Sequence, residues 1–390
     1  MERNQKQKLI AVSARAPYPL NSGGKIASFN TLKSLSKKYY IKLYIITDNV
    51  EDLNSYSYLK KEFGEVVIWK KSKLFCYLDS LRFLILGRPM QLGYFYSNQF
   101  KKVIENNNNL ELDYFIGFVL RTAIYGKSFK AKKFIYSIDS MYLNYKNSVK
   151  NTKNLFWKII YKLESILLKK YELTVVKSFD RISYVNPNEA EFWSRHGEVR
   201  CIPHGLNKIN NHNIRNNQDF KNSVVFIGKM DYRPNIIAVQ WFINNVFNFL
   251  PKEVEFLIIG GHASKDLITR YSGERIKFLG FIEDPDTIIK NSLCSIAPML
   301  TGGGLQTKII KSFSLGSIVI MSELASKPIL NFVNGKHGFI ANEPQQYIHL
   351  INDILKYRSN YSRVKGESIR LFLNNYENAQ IENQILKYFN

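Results

Sequence analysis

Short apolar runs alternate with longer stretches of helical spacing along most of the chain. In the first half the runs Leu9–Ser13, Ile41–Thr47, Val66–Trp69, Tyr114–Phe118, Lys133–Ser137 and Arg181–Val185 read as strands. Helical patterns fill Lys25–Lys38, Asn54–Phe63, Asn98–Asn106, the long stretch Asn151–Phe179, and Glu189–Arg195. A segment rich in Asn, His and Pro, Cys201–Asn217, reads as a linker. The alternation then resumes. Strands are expected at Ser223–Ile227, Val254–Ile259, Ile276–Leu279, Ser295–Met299 and Ile318–Met321. Helices are expected at Ile236–Phe249, Ala263–Tyr271, Pro285–Asn291, Lys308–Leu315 and Pro344–Tyr357. The last amphipathic stretch, Arg363–Phe389, is expected to pack back across the domain junction. Strands alternating with helices predict parallel sheets with right-handed crossovers.

Two strand-to-helix loops stand out. Ala297–Gly316, APMLTGGGLQTKIIKSFSLG, runs from a strand end through Gly302, Gly303 and Gly304 into a helix stopped by Gly316. Bare glycine backbone admits a ligand closely, and a helix start favours phosphate. Lys308 stands about one turn into that helix, where it is expected to add a full charge. Ala14–Ser28, ARAPYPLNSGGKIAS, repeats the arrangement after the first strand, with Asn21 and Ser22 as expected caps and Gly23 and Gly24 at the helix start. Neither the Gly-x-Gly-x-x-Gly fingerprint nor a Walker loop is matched there. A tight turn without a ligand explains either loop alone. Two of them, far apart in sequence, point to two α/β domains facing one cleft.

A chain of 390 residues exceeds what one core usually holds, which fits two domains. The formal charge of +23, from 55 Lys+Arg against 32 Asp+Glu, favours phosphorylated ligands, an anionic membrane surface or a polyanion. No helix-turn-helix, zinc-finger or RNA-binding-sheet signature supports nucleic acid. Cys76, Cys201 and Cys294 are too scattered for a disulfide framework and read as core thiols in a reducing compartment. The six histidines show no metal-ligand spacing. No run reaches the ~18 apolar residues of a membrane span, and a cytosolic location follows as the expectation. Two basic amphipathic segments, Lys70–Phe95 and Lys153–Tyr171, fit the surface of an anionic leaflet. A domain helix packed on its sheet is the commoner use of such a pattern.

Several stretches together resemble glycosyltransferase family 4 enzymes of the GT-B fold. Pro17–Asn30, PYPLNSGGKIASFN, is similar to their N-terminal loop. Ser183–Asn207 is similar to their domain junction, Val224–Asn235 (VVFIGKMDYRPN) to the first strand and loop of their donor domain, and Leu279–Ser317 to their base- and phosphate-binding block. The nearest subgroup is the bacterial sugar transferases of surface-polysaccharide clusters. The resemblance implies two Rossmann-like domains with a cleft between them and a C-terminal helix crossing back: an acceptor domain over 1–202, a nucleotide-sugar domain over 203–365, and a returning helix over 366–390. It implies transfer of a sugar from a nucleotide-sugar to a hydroxyl of a lipid-linked glycan, with retention of configuration.

Carried over position by position, Lys229 stands where the family often has a diphosphate-binding Arg, and Arg233 shares that task. Gly303, Gly304 and Leu305 offer backbone N–H groups, with Lys308 at the helix over which the phosphates lie. Gly280–Glu283, including Phe281, matches the turn that meets the base, and Gly23 and Gly24 match the loop approaching the phosphates. Fixed cations and N–H dipoles would steady the departing nucleotide without a metal or other cofactor. Asp139 is the candidate catalytic group, and a helix-capping Asp is the plainer reading. Arg121 and Tyr125 are the candidate acceptor-site residues. The chain departs from the family at Lys311, where a Glu usually accepts hydrogen bonds from the donor ribose, and at Gly303, where an earlier Glu often aligns. A lysine cannot accept those bonds. The family's N-terminal catalytic His is also not evident around Asp113–Gly117. His204 falls in the junction, and His337 reads as structural or as a polar group of the donor side. The expected partners are a nucleotide-sugar, a lipid-linked or oligosaccharide acceptor and an anionic membrane surface, with no nucleic acid. The expected location is the inner face of the cytoplasmic membrane. Other readings are a donor activated by a nucleoside monophosphate, whose extra charge Lys311 would suit, and a non-catalytic scaffold that binds nucleotide or glycan.

Overall fold

The computed structural model describes residues 6–390 apart from 21, 153, 210–213, 215 and 303. Two compact units emerge: Met1–His204 with Ile381–Asn390, and Gly205–Gln380.

The first unit holds a parallel sheet of β1 (Lys8–Ser13), β2 (Tyr40–Thr47), β3 (Glu65–Lys70), β4 (Tyr114–Phe118), β5 (Lys133–Ser137), β6 (Arg181–Tyr184) and β7 (Val199–Cys201). Their order is β3-β2-β1-β4-β5-β6-β7. β1 is central, with Leu9 opposite Ile41 on one side and Tyr114 on the other. Leu9, Ile10, Ala11 and Val12 are wholly buried, as a strand covered by helices on both faces requires. The strand order reverses between β1 and β4, so the loops leaving their carboxyl ends diverge and open a crevice. β7, three residues long, is absent from the sequence expectation.

The stretch expected as one helix over Asn151–Phe179 is a helix at Leu155–Ser178, capped by the Asn154 side chain accepting from Trp157 N. A separate helix, Met141–Asn151, precedes it. The long helix is turned opposite to the usual sense. Its buried side carries Glu164, Ser165, Leu168, Glu172, Val175 and Val176. Its exposed side carries Leu155, Phe156, Ile159, Leu163 and Ile166. The two glutamates decide this. Glu164 accepts from Met90 N and Gln91 N, both at 2.9 Å, at the start of the helix Met90–Tyr94. Glu172 accepts from Tyr142 N and from the Tyr184 hydroxyl. A second helix, Lys73–Ile85, exposes Leu74, Leu78, Leu81 and Ile85 at helical spacing. Buried Lys71 anchors this region: its ammonium donates to the carbonyls of Gly93, Tyr94 and Tyr96 and pairs with Asp79 at 2.7 Å.

The second unit holds the parallel sheet β8 (Ser223–Ile227), β9 (Glu255–Ile259), β10 (Ile276–Gly280), β11 (Cys294–Ala297), β12 (Val319–Met321) and β13 (Phe339–Ile340). Their order is β10-β9-β8-β11-β12-β13, which reverses between β8 and β11. The loops leaving β8 and β9 meet backbone to backbone. A Cβ on Gly260, at φ +155°, would stand 1.9 Å from the Gly228 carbonyl oxygen.

The stretch Arg363–Phe389 is two helices, Ser362–Asn375 and Asn378–Tyr388, rather than one. Tyr376 breaks it. The Tyr376 hydroxyl accepts from Leu330 N, and its carbonyl accepts from Leu206 N. Only Ile381–Asn390 belongs to the first unit. There the Tyr388 hydroxyl meets the carbonyls of Ile182 and Glu198, and Phe389 packs on Phe134.

Gly260→Ala is expected to cost about 3 kcal/mol or more, because the new methyl meets backbone and not a yielding side chain. Urea denaturation of the purified variant checks this, and an unchanged midpoint would contradict the close approach.

Candidate functional site

In the first unit the crevice at the β1–β4 reversal is a cavity of ≈ 340 Å³. Ser13–Pro17, Ser22, Gly24, Lys25 and Ser28 line one side, and Val119, Arg121 and Ile138 line the other. The helix here begins at Gly23, so both glycines lie within its first turn. Ser22 is the cap residue but makes no side-chain cap bond. The other expected cap, Asn21, lies outside the described residues. A Cβ on Gly24 would meet only Ile138, at 3.8 Å. Packing therefore does not demand a glycine there, and the bare backbone faces the cavity. Opposite, Val119 adopts φ 72°, which a β-branched residue rarely accepts. Its N–H donates to Tyr136 O and its carbonyl accepts from Thr122 Oγ1, and these bonds hold the strain in place.

Arg121 makes no ion pair among the described residues. Its guanidinium lies 4.7 Å from the Phe95 ring centroid, and its Nε is buried with no hydrogen-bond partner. Burial lowers its pKa, and the charge of Asp139 opposes that. Asp139 accepts from Asn144 Nδ2 at 2.7 Å, and burial raises its pKa. Tyr125, expected beside Arg121, is a core residue instead. It is 1% exposed, donates to Phe95 O and accepts from Ser97 N. Its large ring fills the layer beside Phe100, and it does not line the cavity.

Two further carboxylates gather at the start of the helix Met141–Asn151, and both escaped the sequence reading. Glu189 accepts from Ser140 N at 2.6 Å, and Glu172 from Tyr142 N at 3.0 Å. Burial, reinforced by the neighbouring carboxylates, pushes Glu172 up to about 7 and Glu189 up to about 8. Arg15, which pairs with Asp48 at 3.1 Å, is a third omission. It lies two residues beyond β1, in a loop position that periodicity does not mark.

In the second unit the loops after β8 and β11 pack together. A Cβ on Gly302 would meet Pro234 at 3.3 Å. Gly302 and Gly304 have φ of 91° and 83°, values that favour glycine. Gly303, expected to offer its N–H, lies outside the described residues. Leu305 is half-buried against the core of this unit. Lys229 and Arg233 are exposed, and among the described residues neither has an ion-pair partner. Lys308 is turned inward, which corrects the expectation of a charge offered directly to a ligand. Its ammonium donates to Asn235 Oδ1 at 2.8 Å and lies 4.0 Å from the Phe226 ring centroid. Burial pushes it down to about 7. Asn235 in turn donates to Lys229 O at 2.9 Å. Lys308 thus positions the loop that carries Lys229.

Lys311 pairs with Asp286 at 2.5 Å. Asp286 N donates to Asp284 at 3.1 Å, and the segment Asp284-Pro285-Asp286 has Asp-x-Asp spacing. This corrects the reading of the sequence, which recognises no Asp-x-Asp motif. Among the described residues no group of three or more His, Cys, Asp or Glu could hold a metal. Phe281 is 80% exposed at the end of β10. The two histidines stand apart from these loops. Burial pushes His204 down to about 4, and His337 Nδ1 accepts from Val333 N.

Residues 221–357, all within the second unit, match the family described as Glycosyl transferases group 1. An uncharacterized 44.6 kDa protein in the cps region of Klebsiella pneumoniae is 24% identical, over 97% of this chain and 99% of that protein. Among solved structures, Anabaena Alr3699/HepE in complex with UDP-glucose has a TM-score of 0.64 at 12% identity, covering 98% of this chain and 99% of that one. TarM has 0.66 at 10%, covering 100% of both chains. The lipopolysaccharide outer core galactosyltransferase WaaB has 0.64 at 11%, covering 98% and 99%. At these identities the structures share the fold.

The buried acids make stability depend on pH. Glu172 and Glu189 hold their protons more tightly folded than at their ordinary 4.5. Their contribution is complete below that value and is lost as pH rises through about 7 to 8. Denaturation curves from pH 5 to 8 should show falling stability, and Glu189→Gln should flatten the slope. An unchanged slope would contradict the assignment.

Proposed function

We propose that this chain, a glycosyltransferase of the GT-B fold with a group 1 domain in its second unit, transfers a sugar from a nucleoside-diphosphate sugar to a hydroxyl of a lipid-linked glycan in polysaccharide synthesis. The observation that carries the donor half is the pair of loops at the β8–β11 reversal. They hold glycine backbone at positive φ beside two unpaired cations, Lys229 and Arg233. In the reaction the bond from the anomeric carbon to the phosphate oxygen breaks, and one to the acceptor oxygen forms. The acceptor's proton leaves with the departing diphosphate. Negative charge builds on that diphosphate, and fixed cations and N–H dipoles stabilise it most where water is excluded. Lys229 and Arg233 meet the phosphates, Phe281 stacks on the base, and Lys308 holds the loop. With Lys311 committed to Asp286, the exposed Asp284 is the nearby carboxylate able to accept from ribose hydroxyls.

In the first unit Asp139 and Arg121 orient the acceptor hydroxyl. Configuration is retained if that hydroxyl attacks from the face the diphosphate leaves. Support for an acceptor that resides in a membrane comes from the two apolar rows exposed on Lys73–Ile85 and Leu155–Ser178, with Lys73, Arg82, Lys158, Lys162 and Lys169 among them. Such rows suit the interface of an anionic leaflet, where each nearby cation contributes about 1 kcal/mol. No helix among the described residues is long and apolar enough to cross a membrane.

HepE was solved with UDP-glucose, so UDP-sugars are the first donors to test. UDP is expected to raise the melting temperature by mass action. Lys229→Ala with Arg233→Ala should weaken UDP about a hundredfold, at roughly one lost charge-assisted contact each. Lys308→Ala should weaken it about tenfold through the loop. Lys311→Glu, which would face Asp286, should lower both stability and UDP affinity. Absence of a shift across nucleoside diphosphates, together with no release of nucleotide from any nucleotide-sugar, would refute the reading.

A further inference from the structure

A cavity of ≈ 380 Å³ in the first unit has no part in the transfer chemistry. It lies between the end of the helix Lys73–Ile85, the helix Met90–Tyr94 and the long helix Leu155–Ser178. Arg88, Lys101, Lys127 and Lys170 line it, and no carboxylate does. One acid stands nearby: Glu105 pairs with Lys101 at 3.5 Å and also accepts from Ser128. Four cations around one hole repel one another, so the arrangement costs free energy unless an anion shares it. The Lys127 ammonium shows this, since burial, Arg88 and Lys101 all lower its pKa. On the wall, the Tyr171 hydroxyl is buried with no hydrogen-bond partner, and Lys127 lies 5.6 Å from that ring's centroid. An unpaired buried hydroxyl beside a cation cluster is a donor waiting for an acceptor.

What surrounds the cavity identifies the anion. The helix leading into it exposes Leu78, Leu81, Ile85 and Leu86, and the long helix exposes Leu163 and Ile166. A free soluble phosphate has no use for such a border. A phosphate with hydrocarbon attached does.

We propose that this cavity binds the phosphate of an anionic membrane phospholipid, with Arg88, Lys101, Lys127, Lys170 and the Tyr171 hydroxyl as its donors and the flanking apolar rows against the acyl chains. The proposal rests on the membrane reading above and adds to it a defined head-group site in place of a diffuse basic surface. Charge-assisted bonds to phosphate are short and strong in such a setting.

Two measurements on the full chain test it. The first is flotation with vesicles of phosphatidylcholine, alone or with phosphatidylglycerol. The second is calorimetric titration with the soluble dihexanoyl phosphatidylglycerol. Arg88→Gln with Lys127→Gln should lower both phosphatidylglycerol signals about tenfold or more. Lys60→Gln with Lys61→Gln removes the same charge elsewhere on the unit and should lower flotation by less than about twofold. Tyr171→Phe keeps every charge and deletes an unpaired hydroxyl. It should hold or raise the melting temperature while weakening the soluble lipid about threefold. Equal loss in the two lysine-containing pairs would overturn the site and leave only diffuse attraction. Flotation without binding of the soluble lipid would also overturn the site while sparing the membrane reading. Binding of the soluble lipid without flotation would sustain the site and overturn the membrane reading.

Discussion

The hydrogen bond from Lys308 to Asn235 is the contact on which the donor half of the molecule depends. Stripping an ammonium of water is expensive, and burial pushes its pKa down to about 7. One amide oxygen, the Met299 sulfur at 3.7 Å and one aromatic face are its compensation. What the arrangement secures is geometry. Asn235 spends its oxygen on the helix after the glycine loop and its nitrogen on the carbonyl of Lys229. Two loops separated by some seventy residues are thereby fixed as one surface, with Lys229 and Arg233 left free on it. A positioning group of this kind is worth as much to a binding site as the groups that touch the ligand.

The first unit uses the same device with buried acids. Glu164, Glu172 and Glu189 are each buried against the N–H groups of a helix start, where a carboxylate gains from the helix dipole. Two of these bonds set the start of the helix that follows Asp139. The strained Val119 and Arg121, whose buried Nε has no partner, line the same cavity. Strain and an unpaired donor thus meet at the place where a doubly wound sheet reverses its strand order, and the acids with raised pKa values hold the start of the helix that follows Asp139.

The sheets were legible because parallel strands buried on both faces leave uninterrupted apolar runs, as Leu9–Val12 and Phe256–Ile259 do. β7 and β13 were not, since two or three residues carry no period. The glycine loops announced themselves through composition. The direction of Lys308 did not, because a lysine one turn into a helix points to solvent unless tertiary structure supplies an acceptor. The amphipathic pattern of Leu155–Ser178 was plain, but periodicity gives two faces without saying which is inward. Glu164 and Glu172 settle that, through partners at positions 90, 91, 142 and 184 that no local window contains. Tyr125 reads like a cleft residue in sequence and is claimed by the core.

If the loops after β8 and β11 hold the diphosphate, they must stiffen when it arrives. Amide hydrogen exchange of the full chain with and without UDP reads this directly. The account predicts slowed exchange across residues 228–235 and 304–310. Bound UDP with exchange in those two segments unchanged, or with protection confined to residues 13–28, would contradict it.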